Sequence, residues 1–413
     1  MSGGEILFLA HRIPFPPDRG DKIRSHHLLK AVAALASVHV ATLADDPNDW
    51  GCEGELAAIS ESHCLVGRTK PVWRAGIEAL LTGQPVSKTA FHDPALAAYV
   101  RRVLAERPID TIVAFSSQMG QYIPDGFTGR VVYDFVDVDS AKFEAYAAKS
   151  HWPMAWIHAR EARLLRAEEA RLARRSSVSL LVSPEEAALF AARLGPEDRA
   201  TCQVLGLRNG IDAVSFDPDL ILPEKRMLAM PGPRLIFTGQ MDYAPNVDAA
   251  LRVIRSVLPQ VRKACPDASF HVVGRNPPPR LRQYHEQQGV YVWGAVDDIR
   301  TWLAGAHIAL LPLEIARGIQ NKVLEAMAMR LPVVLSTGAS TGIAAQDGRD
   351  FLICDEDSEL AEAVIKLAAS PQLCASLGDS ARHFVVDEMS WAATLAPLAG
   401  LLGRNSAEAR HAA

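Results

Sequence analysis

The chain has 413 residues, 49% of them hydrophobic, 7% aromatic and 22% charged, with a formal net charge of −5. An apolar share of that size builds large cores and excludes a disordered or fibrous protein, and at about 100–200 residues per domain the length predicts two or three domains. Neither half carries the basic excess of a dedicated nucleic-acid binder, so no nucleic acid is expected among its partners.

The first apolar run, 5–10, has no basic region ahead of it and reads as a strand, not a secretory signal. Further β-rich runs follow at 38–43, 110–115, 131–135, 178–183 and near Val204, then at 234–239, 269–274, 290–294, 308–313, 332–336 and 351–354. They are short, continuous and unalternating, as strands buried on both faces of a parallel sheet are. The stretches between them are long enough for crossover helices. Ser183-Pro184-Glu185-Glu186 and Asp357-Ser358-Glu359-Leu360 mark two helix starts. Gly206, Gly210, Pro218, Pro223, Pro231, Gly232 and Pro233 make 206–234 a linker. The expected fold is α/β, two Rossmann-like domains facing each other across a cleft, with bounds 1–205 and 206–385.

Several chemistries find no motif. No G-x-G-x-x-G follows the first strand, and no P-loop, H-E-x-x-H or G-x-S-x-G occurs. Cys52, Cys64, Cys202, Cys265, Cys354 and Cys374 form no C-x-x-C pair and read as buried small hydrophobes in a reducing compartment. The adjacent His26 and His27 read as one packed and one exposed residue of a helix. No stretch of about 18 uninterrupted apolar residues predicts a spanning helix, so the expected location is the cytoplasm.

Residues 312–334, PLEIARGIQNKVLEAMAMRLPVV, carry the most chemical information. A strand ends at Leu313, a loop holds Arg317 and Gly318, and Val323, Leu324, Met327 and Ala328 keep helical spacing. Ile319, Gln320, Asn321 and Lys322 then open a helix whose unpaired N–H groups and dipole suit a diphosphate. Lys322 adds a point charge, and Glu325 can accept bonds from ribose hydroxyls. From the residues alone, an ordinary amphipathic helix with a surface Lys–Glu pair fits at least as well.

The stretch Glu325-Ala326-Met327-Ala328-Met329-Arg330-Leu331-Pro332-Val333-Val334 resembles the donor-binding segment of glycosyltransferase family 4, retaining enzymes of the GT-B fold. The family's earlier glutamate falls at position 317, where this chain has Arg317, and Leu331 stands where Gly is usual. The wording RGIQNKVLEAMA is similar to a subgroup associated with exosortase/PEP-CTERM exopolysaccharide systems. Asn209-Gly210-Ile211-Asp212 with Phe216 resembles the turn that opens the family's second domain. Residues 237–248 resemble the strand–loop–helix approaching the donor phosphates, with Gly239, and with Gln240 and Asn246 in place of the usual Arg and Lys. Gly274, Arg275 and, in 292–298, Val296 resemble the loops flanking the nucleobase. Met389-Ser390-Trp391 resembles the start of the last helix, expected over 386–413 to cross back onto the first domain. The resemblance spans roughly 5–402.

In the first half, 16–24 is a loop and helix start in which Gly20 permits close approach to a bound sugar phosphate. Lys22 and Arg24 can meet a phosphate of donor or acceptor, and a plain capped helix start fits equally. Ser117 and Gln118 follow one buried strand and Asp137 and Asp139 the next, at ends where ligands gather. The aspartates read as acceptor ligands or a base, with helix capping as the alternative. Residues 158–175 hold six arginines and three glutamates. They read as a solvated helix laced with i,i+4 pairs or as a helix lying on anionic lipid. Residues 68–85, with Lys70, Trp73, Arg74, Ile77, Leu80 and Leu81, fit interfacial docking and plain packing alike.

The resemblance implies a retaining transferase moving a hexose-type sugar from a nucleotide diphosphate sugar to a glycan or lipid-linked saccharide, with peripheral contact to the inner face of an anionic membrane. It implies no metal and no cofactor. Arg317, Lys322 and Glu325 would act on the leaving group and ribose. Donor contacts would come from Gly20, Gly239, Asn246, Gly274, Arg275, Val296, Ile319, Gln320 and Asn321. Arg24, Ser117, Gln118, Asp137 and Asp139 would serve the acceptor. A nucleotide-sugar epimerase on the same fold and a non-catalytic transferase-like subunit are the alternatives.

Overall fold

The structure, a computed structural model, describes residues 4–314 and 319–404. The described residues up to Asn209, together with those from Thr394 onward, form one compact unit, and Gly210–Ala393 form a second.

The first unit is built on a seven-stranded sheet of order β3-β2-β1-β4-β5-β6-β7. Its strands are β1 (Glu5–Ala10), β2 (Val38–Ala44), β3 (Ser62–Gly67), β4 (Ile109–Phe115), β5 (Arg130–Val136), β6 (Val178–Leu181) and β7 (Val204–Gly206). Every pairing is parallel. Ile6, Leu7, Phe8, Leu9 and Ala10 are all fully buried, which is why β1 shows no alternation. β3 is the strand the sequence hides: SHCLVG is half-buried throughout because it forms the sheet edge. The final described residues return to this unit, where Leu398 and Leu402 are buried and Arg404 donates to the Gly4 carbonyl at 2.8 Å.

The second unit repeats the plan with six parallel strands of order β10-β9-β8-β11-β12-β13. These are β8 (Arg234–Thr238), β9 (Ser269–Val273), β10 (Val290–Gly294), β11 (Ile308–Leu311), β12 (Val333–Leu335) and β13 (Leu352–Ile353). In both sheets the strand order reverses beside the first strand, between β1 and β4 and between β8 and β11. Open parallel sheets bind ligands beyond the carboxyl ends of the strands at such a reversal.

Candidate functional site

In the second unit the helix Asn321–Ala328 follows β11. Val323, Leu324, Ala326, Met327 and Ala328 bury its apolar face, leaving Asn321, Lys322 and Glu325 toward the carboxyl ends of the strands. There they line a cavity of about 610 Å³ together with Ile319, Gly239, Gly274, Arg275 and Val296. Of the donor candidates of this unit, Gln320 is the helix N-cap residue and does not line the cavity. Arg317 lies outside the described residues.

Backbone hydrogen bonds fasten the three loops beneath this cavity. Gly239 N donates to Val273 O at 3.1 Å, Met241 N to Arg275 O at 2.8 Å and Gly274 N to Gly294 O at 2.8 Å. A Cβ on Gly274 would stand 1.6 Å from the Gly239 carbonyl oxygen, so only glycine allows this approach. A Cβ on Gly239 would meet the Lys322 ammonium at 3.0 Å. The floor is therefore backbone, and the ammonium stands directly above it.

Lys322 Nζ donates to Asn246 Oδ1 and lies 5.0 Å from the centre of the Phe237 ring. Asn246, itself buried, is oriented by its Nδ2 donating to Gln240 O at 2.8 Å. Asn246 thus acts by holding Lys322 and does not line the cavity itself. Burial pulls the Lys322 ammonium down to about 8 against the opposing attraction of Glu325. Burial pushes the Glu325 carboxyl up, with Lys322 opposing. A partly desolvated cation beside helix N–H groups is arranged to recover its lost hydration from an anion. Thr238, Gln240, Val273, Ala295 and Ile299 complete the lining, and sequence reasoning singled out none of them as contacts. Ile299 had a signal, since it opens a helix capped by Asp298, whose side chain accepts from Arg300 N.

The first unit places its candidates differently. Ser117 Oγ donates to Asp139 Oδ2 at 3.2 Å, and Lys142 Nζ donates to Asp137 Oδ2 at 2.7 Å and to Asp139 Oδ1 at 3.4 Å. Lys142, which the sequence did not single out, thus gathers three of the acceptor candidates beyond β4 and β5. Burial opposes its charge, but the two aspartates hold its pKa above the ordinary value. Gln118 accepts from Ser116 Oγ. Ser116 has φ of 78° and Val136, closing β5, has φ of 70°. That backbone is costly for residues with a Cβ and tends to be kept at ligand sites. None of these candidates lines the cavities of about 450, 440 and 350 Å³ in this unit.

Arg24 is a correction. It is 1% exposed, pairs with Asp134 at 2.9 Å, and donates to Leu207 O at 2.9 Å and Asn209 Oδ1 at 2.8 Å. A guanidinium sealed and tied in this way is scaffold, unavailable to an acceptor. Lys22 is equally buried and paired with Asp49. Gly20 opens the helix Gly20–Ala33, and a Cβ there would meet nothing within 4 Å, so packing does not demand glycine.

In the helix Met154–Arg175 the three glutamates do not lie on the solvated face. Glu161, Glu168 and Glu169 are buried. Glu161 accepts from Val86 N and Ser87 N, both at 2.8 Å, and Glu169 accepts from Ser140 N at 2.9 Å. Arg160, Arg166 and Arg175 donate to backbone carbonyls.

Among the described residues no group of three His, Cys, Asp or Glu side chains is placed to hold a metal ion, and no helix is long and apolar enough to cross a membrane.

No curated protein sequence matches this chain. The chain is similar in fold to HepE of Anabaena solved with UDP and glucose, at 14% identity and a TM-score of 0.55, over 97% of this chain and 100% of the other. It is likewise similar to sucrose-phosphate synthase of Thermosynechococcus elongatus, at 16% identity and a TM-score of 0.56, over 97% and 98% of the two chains. A third, WaaG, a glycosyltransferase involved in lipopolysaccharide biosynthesis, matches at 18% identity and a TM-score of 0.54, over 96% and 100%. Residues 232–370 match the family model described as Glycosyl transferases group 1. The fold is thus GT-B, and residues 232–370 of its second unit are similar to glycosyl transferases group 1.

Proposed function

We propose that the protein is a retaining glycosyltransferase that moves a hexose-type sugar from a nucleotide diphosphate sugar to a glycan or lipid-linked saccharide in exopolysaccharide biosynthesis. The observation that carries the reading is the cavity of about 610 Å³ in which Lys322, the N–H groups opening the helix Asn321–Ala328 and the glycine floor at Gly239 converge. As the bond from the sugar's anomeric carbon to the diphosphate breaks, negative charge grows on the leaving diphosphate. Lys322 and the helix amides stabilise that charge without reorganising, which is the main electrostatic task of the step. Glu325, lining the same cavity, accepts hydrogen bonds from the ribose, and Val296 and Ile299 give the nucleobase an apolar wall. The acceptor hydroxyl then forms the new bond to the anomeric carbon and passes its proton to the departing nucleoside diphosphate. Ser117, Asp137 and Asp139 are proposed on the acceptor side, and a lipid-linked acceptor would be met at a membrane face.

Thermal-shift titration with UDP, GDP, ADP and TDP tests the donor site. UDP is the first candidate, because the HepE neighbour was solved with it. A ligand at about 100 times its Kd stabilises by about 2.7 kcal/mol, and Lys322→Ala should remove most of that shift. Equal shifts in the variant would refute the phosphate role of Lys322.

A further inference from the structure

Two segments of the first unit leave large apolar side chains in water. The helix Val72–Thr82 exposes Val72, Trp73, Ile77, Leu80 and Leu81, the last at 84%. Its buried residues are Ala75 and Ala79, so it packs through alanines and turns its bulk outward. Ahead of the helix Met154–Arg175, Trp152 is 85% exposed, and Met154, Trp156 and Ile157 are exposed in its first turn. Single exposed hydrophobics are ordinary, but a contiguous cluster marks an interaction surface.

Hydrogen bonds tie the two segments together. Arg160 Nη2 donates to Ala79 O at 2.7 Å and to Gln84 O at 3.3 Å, and Glu161 holds the amides of Val86 and Ser87. Trp156 stands one turn before Arg160 on the same helix face, which brings it beside the end of the helix Val72–Thr82.

The composition favours one occupant. Three of the chain's seven tryptophans, Trp73, Trp152 and Trp156, lie in the patch, and amphipathic rings of this kind prefer the boundary between bilayer and water. Arg74, Lys149 and Arg163 are exposed around them. The neighbouring carboxylates Glu78 and Glu144 are already paired, with Lys70 and Arg193. The uncompensated charge beside the apolar side chains is therefore positive.

We infer that this face docks on an anionic lipid bilayer. Its aromatic and aliphatic side chains enter the interfacial layer, and Arg74, Lys149 and Arg163 meet the headgroups. The purpose of the docking, reaching a lipid-linked acceptor, rests on the proposed function; the docking itself does not.

The test sediments the full chain with vesicles of phosphatidylcholine alone and of phosphatidylcholine with about one-third phosphatidylglycerol. Two variants run alongside, Leu80→Glu/Leu81→Glu and Arg74→Glu/Lys149→Glu, and nucleotide binding is measured on all three proteins. The expected result is salt-sensitive binding of the wild type to the anionic vesicles. Each variant should bind at least about tenfold more weakly with nucleotide binding unchanged. The wild type failing to bind anionic vesicles at low salt, or the Leu80→Glu/Leu81→Glu protein binding as well as wild type, overturns the inference. So does a wild-type dimer that this same change dissociates, since the face would then belong to a second copy. Vesicle binding without nucleotide binding in the wild type would break the donor-site reading alone.

Discussion

Around the carboxyl ends of its strands the first unit carries Arg12, Lys22, Arg24 and Arg68, while the second carries Lys322 and Arg275. In the first unit each of the four meets a carboxylate: Arg12 joins Asp21 and Asp45, Arg68 joins Asp45, Lys22 joins Asp49 and Arg24 joins Asp134. In the second, Lys322 donates to a neutral amide oxygen beside an aromatic face, with Glu325 attracting it without a direct ion pair, and Arg275 stands exposed. A cation matched to a resident carboxylate holds the fold together. Under the proposed function, one that a carboxylate attracts but does not pair keeps its charge for a ligand. The residue types are the same; the partner decides the role.

The largest test of that contrast is Arg24→Met. It leaves Asp134 fully buried without its cation, and breaking a buried pair from one side costs about 3–5 kcal/mol. Urea unfolding should show that loss, and nucleotide binding below the transition should survive. Lost nucleotide binding with unchanged stability would reverse the assignment.

Gly239→Ala should follow in size. The new Cβ would crowd Asn246 Nδ2 at 2.9 Å and Lys322 Nζ at 3.0 Å, on a backbone with φ of +148°. An affinity loss of about tenfold or more for the nucleoside diphosphate is expected by calorimetry, about 1.4 kcal/mol or more. Unchanged affinity would show that ligand does not rest on this floor.

A third test concerns Glu169 in the first unit, where burial raises the carboxyl to about 7 although Ser140 donates to it. Its folded pKa lies above the unfolded value, so between roughly pH 4.5 and 7 the folded state binds more protons and stability falls as pH rises. Glu169→Gln should flatten that part of a stability–pH curve measured by thermal unfolding. An unaltered slope would place the titration elsewhere.

The sequence revealed most where structure is local. β1, β2, β4 and β5 are continuous apolar runs because both sheet faces are covered, and the helix expected from about Ile319 is present but opens two residues later, at Asn321, its periodicity lying within one segment. What stayed hidden depends on distant partners. β3 carries polar Ser62 and His63 because it is an edge. Arg24 read as a ligand group because Asp134 and Asn209 lie more than a hundred residues away. The glutamates of 158–175 read as surface because the amides they hold, at Val86, Ser87 and Ser140, belong to other elements. Asn246 read as a replaced lysine, whereas it orients Lys322 from 76 positions away.

Under the proposed function Lys322 keeps its charge for a diphosphate, so nucleotide affinity should follow the titration of its ammonium. With the unliganded protein's ammonium near 8, the cation is present below that pH and lost above it. Calorimetric titration of UDP from pH 6.5 to 9.5 should show affinity falling as pH passes through about 8, with a flat, weak profile in Lys322→Ala. A wild-type profile that stays level across that range, or a variant that binds as tightly, would contradict the account.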